Sequence, residues 1–258
     1  MEVILQPDAE RAARLAAAVV ARAVREKPGI VLGLATGRTM EPVYAALAAA
    51  RLDFSGCRAF LLDEYVGVAA DDARSFRATM RRQLFDRVNF ERSRIDALDG
   101  TAPDLEAECA RYEAAIGAAG GIDLQLLGLG TDGHIGFNEP LSALRSRTRV
   151  KALTPATIAQ NAPFFGGAER VPRRAITMGV GTILEARRCL LLATGAEKAE
   201  ILARAVEGPI TAMVTASALQ LHPRCTVIVD EAAAARLQGR DYYRWIFETE
   251  PEWREFRG

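Results

Sequence analysis

The sequence predicts an α/β protein built on an open, mostly parallel, Rossmann-like sheet with helices on both faces. Short apolar runs alternate with amphipathic stretches along most of the chain. Residues suited to chemistry follow directly after several of those runs, where an open parallel sheet presents the carboxyl ends of its strands. Half of the 258 residues are apolar, enough to bury a large core without staples.

From Asp8 to Arg25 the apolar positions Ala12, Leu15, Ala16, Val19, Val20 and Ala23 recur at steps of three and four, the spacing of one helix face. Ile30-Val31-Leu32-Gly33-Leu34 reads as a strand that turns through Ala35–Thr39 into a helix beginning near Glu41. A strand is expected around Arg58–Leu62, helices around Arg74–Val88 and Asp104–Ala119, and a strand over Asp123–Leu127. Further on, Cys189–Ala193 and Thr226–Val229 read as strands, Glu197–Val206 as a helix and Glu231–Leu237 as a shorter one. The stretch Leu141–Arg174 differs, being rich in Arg, Ser, Thr and Gly with weak periodicity and carrying Asn161, Pro163, Gly166, Gly167 and Pro172. Such a segment inside a compact fold is expected to be an irregular lid or binding loop. No linker divides the chain, so one domain over residues 1–258 is expected, with a lid at about 141–174.

Lys plus Arg equals Asp plus Glu at 33 each, so the chain has no overall attraction to nucleic acid or to an anionic membrane, and an anion must be gripped locally. Cys57, Cys109, Cys189 and Cys225 are scattered, and two histidines are too few to complete a zinc site with them, so no metal is expected. The start, Met1-Glu2-Val3-Ile4-Leu5-Gln6-Pro7, lacks the basic and apolar regions of a signal peptide, and no apolar run approaches membrane-spanning length. A reducing, cytoplasmic setting is expected.

Three strand ends carry chemistry. Leu34-Ala35-Thr36-Gly37-Arg38-Thr39 opens a helix, and free N–H groups there, with the Thr36 and Thr39 hydroxyls, suit a phosphate. A Thr-Gly turn also serves merely as an N-cap, and this segment by itself leaves both readings open. Phe60-Leu61-Leu62-Asp63-Glu64-Tyr65 ends an apolar strand in two carboxylates, either of which could be a desolvated general base or a plain turn cap. Leu126–Pro140 opens a strand into a Gly-rich loop that sets His134 two positions from Asp132 and five from Glu139, a flanking that keeps an imidazole basic. Gly128-x-Gly130 lacks the third glycine and the downstream acid of a dinucleotide fingerprint, and the acid/base groups need no cofactor. His222, between Leu221 and Pro223 with no acid nearby, is expected to be structural.

With these residues in view, the chain resembles the glucosamine-6-phosphate deaminase family over nearly its whole length. The similarity rests on Leu32–Gly37, Leu62–Gly67, Asp132–Pro140, Ser146–Arg149 and Leu219–Pro223, in the family's order. The resemblance implies that Asp63 shuttles a proton between C2 and C1 of the sugar and that His134, with Asp132 and Glu139, assists ring opening. It further implies that Thr36, Gly37 and Thr39 bind the substrate phosphate together with Lys198, which alone would read as a solvated helix charge. The implied reaction turns glucosamine 6-phosphate into fructose 6-phosphate and ammonia, the partner being a small amino-sugar phosphate. Galactosamine-6-phosphate deaminases and the similarly folded 6-phosphogluconolactonases are the alternatives, and Phe137-Asn138-Glu139-Pro140 favours a deaminase. A non-catalytic sugar-phosphate sensor is the reading from another class, and the joint presence of Asp63, His134 and Glu139 speaks against it. Some members are hexamers, which leaves a homo-oligomer open, and the aromatic stretch Tyr242–Phe247 is expected to pack on its own domain or on a sister subunit.

One departure stands out. The family usually has an arginine directly before the paired aromatics of the lid, to clamp the phosphate, and this chain has Pro163 there, before Phe164-Phe165. Proline has no N–H to donate. Arg38 stands where many relatives have glycine, and is expected to supply the missing charge to the phosphate turn.

Overall fold

In the computed structural model, which describes residues 1–257, ten strands and eight α-helices alternate along the chain. In order they are β1 (Glu2–Gln6), α1 (Ala9–Glu26), β2 (Val31–Leu34), α2 (Glu41–Ala49), β3 (Arg58–Leu61), β4 (Asp63–Tyr65), α3 (Phe76–Gln83), β5 (Ile95–Asp96) and α4 (Leu105–Ala118). Then follow β6 (Leu124–Gly128), β7 (Arg149–Ala152), α5 (Pro155–Phe165), β8 (Arg174–Thr177), α6 (Val180–Leu184), β9 (Cys189–Ala193), α7 (Ala199–Val206), β10 (Cys225–Asp230) and α8 (Arg240–Thr249).

Seven strands form one sheet in the order β1-β10-β9-β6-β2-β3-β5, and every pairing in it is parallel. Its strands are apolar on both sides, and the two-residue alternation sorts them into two cores. Val31, Phe60, Leu127, Leu191 and Val227 face the layer of α4 and α7, packing with Tyr112, Ile116 and Leu202. Leu32, Leu34, Leu61, Leu126, Leu192 and Ile228 face α1 and α2, packing with Ala16, Val20, Tyr44 and Leu47. Helix α1 starts where Asp8 accepts the Arg11 N–H, and the alanine-rich face predicted from its spacing is the buried one.

A second sheet, β4-β8-β7, is antiparallel. The chain steps from one sheet to the other within a single residue, Leu62, whose N–H donates to the Leu34 carbonyl of the large sheet and whose carbonyl accepts from Met178 beside the small one. Under α5, Tyr65, Phe137, Ile158 and Phe165 form a third apolar cluster.

Several expectations need correction. The helix expected around Arg74–Val88 stops at Gln83, because Leu84 and Phe85 turn inward, where Phe85 meets Phe90 edge-on and Phe90 stacks on Phe54. Glu231–Leu237 holds only a 3-10 turn, Ala233–Arg236. The segment 141–174 is not wholly irregular, since it contains β7 and α5. Its faint periodicity has a physical cause: α5 buries only Thr157, Ile158 and Phe165 and carries Pro163 in its interior. The aromatic stretch near the C-terminus packs on the chain itself through Ile246, followed by Trp253, while Tyr242 and Trp245 stay exposed.

Candidate active site

From β2 the chain steps through β3 to β5 on one side of the large sheet, then returns to lay β6, β9 and β10 on the other. The direction reverses between β2 and β6, and the crevice at such a point is where parallel sheets bind ligands. A cleft of about 970 Å³ lies there. Thr36, Gly37, Arg38, Thr39, Asp63, His134 and Lys198 all line it, so seven of the nine expected site residues meet at one place. Asp132 and Glu139 stand behind His134.

Asp63, the first residue of β4, is buried where the two sheets meet. Burial, reinforced by the adjacent charge of Glu64 and opposed by His134, lifts its carboxyl to about 8. His134 sits in a loop closed by two bonds, from the Gly130 N–H to the His134 carbonyl and from the His134 N–H to Asp132 Oδ1 at 3.1 Å. Its Nδ1 lies 2.6 Å from Asp132 Oδ1 and 3.5 Å from Glu139 Oε2. The short contact lies off the direction of the ring N–H, so the pairing is electrostatic more than a well-aligned hydrogen bond. Burial alone would lower the imidazole, yet the two carboxylates outweigh it and raise His134 to about 9. Asp132, despite its own desolvation, is held down to about 2 by the same partner. Nε2 is left to face the cleft as a proton donor.

The loop before α2 turns at Gly37, whose φ of +128° lies in glycine's territory, and Tyr44 donates to the Ala35 carbonyl beneath it. Arg38 is exposed on that turn. Across the cleft Lys198 is buried, and among the described residues no carboxylate comes within 4.0 Å of its Nζ. Burial lowers its pKa, Glu197 and Asp132 oppose the shift, and Arg38 adds to it. Two cations close enough to feel each other, one buried without a counter-ion, call for an anion between them.

Pro163 is exposed and does not line the cleft, whereas Gln160, Asn161, Phe164 and Phe165 of the same helix do. Helix α5 thus brings carboxamides and aromatic rings to the cleft, and no cation.

Three supports went unread in the sequence. Asn138 donates to the Ile135 and Met178 carbonyls and accepts from Arg149, fixing the loop after His134. Glu139 Oε1 accepts the N–H of Thr154, the N-cap of α5, at 3.0 Å, so the acid that faces His134 also holds the start of that helix. Asp230, at the end of β10, accepts the Gly195 N–H at 3.1 Å and steadies the turn that presents Lys198. A carboxylate or amide directly after a strand was the available signal for Asp230, but its partners lie in other loops. His222 is interior, with Nε2 2.7 Å from the Ala186 carbonyl and Nδ1 accepting from Arg224, as expected of a structural histidine.

Among the described residues, one group of potential metal-ligating atoms gathers within 4.8 Å, that of Asp132, His134 and Glu139. The imidazole's pairing with its carboxylates uses those same atoms.

A parallel sheet presenting acid–base groups at the carboxyl ends of its strands defines an α/β enzyme rather than a scaffold. The chain belongs to the family described as glucosamine-6-phosphate isomerases/6-phosphogluconolactonase, whose model matches residues 7–228. It is 50% identical to a glucosamine-6-phosphate deaminase of Streptomyces coelicolor, over 98% of this chain and 99% of that protein. Among solved structures, a monomeric glucosamine-6-phosphate deaminase superposes with a TM-score of 0.89 at 42% identity, over 92% of this chain and 100% of the other. The 6-phosphogluconolactonase of Trypanosoma cruzi shares the fold, with a TM-score of 0.75 at 22% identity over 92% of this chain and 97% of the other.

Proposed function

We infer that this protein is a glucosamine-6-phosphate deaminase, an enzyme that converts glucosamine 6-phosphate and water to fructose 6-phosphate and ammonia. The observation that carries the reading is one cleft holding a buried carboxyl, Asp63, a carboxylate-paired imidazole, His134, and a buried cation, Lys198, that no carboxylate pairs among the described residues. The near-full-length identity to named deaminases supports it.

Lys198 and Arg38 neutralise the phosphate, and the Thr36–Thr39 turn cradles it. The protonated imidazole of His134 donates to the ring oxygen as the sugar opens to the aldehyde, and Asp132 and Glu139 stabilise the cation until then. Ionised Asp63 takes the C2 proton while the aldehyde oxygen gains one, forming an enolamine. Asp63 then returns its proton to C1. The resulting ketimine at C2 adds water and loses ammonia, leaving the ketose. The segment 141–174 is the lid, with α5 laying Phe164 and Gln160 over the cleft and Glu139 linking the N-cap of that helix, Thr154, to His134. Arg38 takes over part of the role of the absent lid arginine.

Hydrolysis of a lactone would need His134 as a neutral base to activate water, and the two carboxylates keep that ring protonated up to about 9, which favours the deaminase. Every group the chemistry needs comes from one chain, so a homo-oligomer is not required for turnover. Four cysteines without disulfides fit a reducing cytoplasm.

Incubating the purified protein with glucosamine 6-phosphate should release ammonia and fructose 6-phosphate in equal amounts. Absence of ammonia, with hydrolysis of 6-phosphogluconolactone instead, would reverse the assignment.

A further inference from the structure

Glu64, beside the base Asp63, is buried, with 3% of its surface exposed against 8% for Asp63, and lies outside the cleft lining. Its carboxylate is fully engaged with backbone. Oε1 accepts the Tyr65 N–H at 2.9 Å and the Phe76 N–H at 3.1 Å, and Oε2 accepts the Arg77 N–H at 3.1 Å. Phe76 and Arg77 open helix α3, so two of that helix's orphan donors are capped by a residue of another element, and the Ser75 hydroxyl takes the third, from Ala78. A negative charge at this helix start also meets the positive end of its dipole.

The two partners of this clamp are both parts of the cleft. Strand β4 begins with Asp63, and α3 contributes Phe76, Thr79, Arg82 and Gln83 to the wall. Ring contacts from Phe76 to Tyr65 and Phe137 add to the same joint. Burial raises the Glu64 carboxyl, and the N–H groups of Arg77, Tyr65 and Phe76 and the charge of the exposed Arg77, which makes no ion pair with Glu64 within 4.0 Å, oppose that shift.

We propose that Glu64 is a positioning residue for the base: its ionised carboxylate locks the start of α3 to β4, fixing Asp63 against the cleft wall and placing a like charge next to it. The inference rests on the reading of Asp63 as the base. The titratable groups that interact with Asp63 are Glu64 and Tyr65 of its own strand, Tyr44 of α2, Tyr112 of α4 and His134. Burial first, then Asp63, raises all three phenols, so in the working range the charges that change its behaviour are those of Glu64 and His134.

The test compares pH profiles of kcat for the wild type, Glu64→Gln and Asp63→Asn on glucosamine 6-phosphate, with circular dichroism and melting curves as folding controls. Glu64→Gln keeps the size and one acceptor but loses the charge. Its kcat should fall about tenfold or more from misplacement, its KM should stay within about twofold because the phosphate groups lie elsewhere, and its acid limb should move about one pH unit lower with the like charge removed. A purely structural cap would lower the melting temperature and leave the acid limb in place, and that outcome in folded Glu64→Gln, with Asp63→Asn inactive, overturns the proposal alone. Turnover surviving in Asp63→Asn would instead overturn the base on which it rests. If Glu64→Gln does not fold, Glu64→Asp decides. It keeps the charge and shortens the reach, so a reduced kcat with an unmoved limb supports the clamp, and an unchanged kcat overturns it.

Discussion

Asp63 and His134 are both displaced toward their protonated forms, which leaves the one neutral and the other charged. Desolvation keeps the carboxyl protonated up to about 8, and paired carboxylates keep the imidazole protonated up to about 9. The proposed mechanism needs Asp63 ionised and His134 charged. Activity should therefore rise as pH passes about 8 and fall as it passes about 9, giving a narrow bell on the alkaline side of neutrality. His134→Gln should remove the basic limb along with most turnover of the cyclic sugar, and Asp63→Asn should cost about 10² to 10⁴ in kcat without loss of folding. A profile flat from pH 6 to 8 would show that Asp63 is already ionised there and that burial does not govern it. Of these groups the sequence announced the types and the strand-end positions. Which of Asp63 and Glu64 faces the cleft was not legible, because neighbours in a strand point to opposite faces and only the pairing with β8 assigns them.

At the scale of elements, the proposed phosphate grip is divided between the turn before α2 and the turn before α7, and α5 has no cation to add. Arg38→Gly should raise KM for glucosamine 6-phosphate by about tenfold or more, the effect of losing one charge-assisted hydrogen bond, with kcat little changed. Lys198→Met should do at least as much, since it removes the buried member of the pair. An Arg38→Gly enzyme with wild-type KM would mean that Lys198 and the backbone suffice. Five of the seven parallel strands, β2, β3, β6, β9 and β10, and helices α1, α4 and α7 were legible from their periodicity, with boundaries shifted by a residue or two, whereas β1 and the two-residue β5 were not read as strands. The small antiparallel sheet was not. Strand β4 has three residues, two of them acids, and its partner β8, which pairs β7 on its other side, lies far along the chain, so no local pattern marks it.

At the scale of the molecule, the C-terminal segment closes the α1 face of the large sheet by burying Ile246 and Trp253 near β1, at the opposite end of the strands from the cleft. Trp253 is 2% exposed, and Trp253→Ala should lower stability by about 3–5 kcal/mol. The kcat of the folded fraction should stay unchanged, and a melting temperature like that of the wild type would show that the ring carries little of the packing.

By itself the sequence determined the parallel α/β class and put Thr36, Asp63 and His134 at strand ends, because two-residue and 3.6-residue periodicities are local and strand ends follow from them. The resemblance of its motifs then supplied the chemistry. Only the tertiary structure decided that Lys198, beside Glu197 in the chain and readable as a solvated charge, is buried with no ion-pair partner among the described residues and lines the same cleft as Arg38. Only it turned Glu139 toward both His134 and the start of α5, and Glu64 toward α3. Burial, pairing and the absence of a counter-ion are set by neighbours from distant parts of the chain, and a one-dimensional pattern holds no record of them.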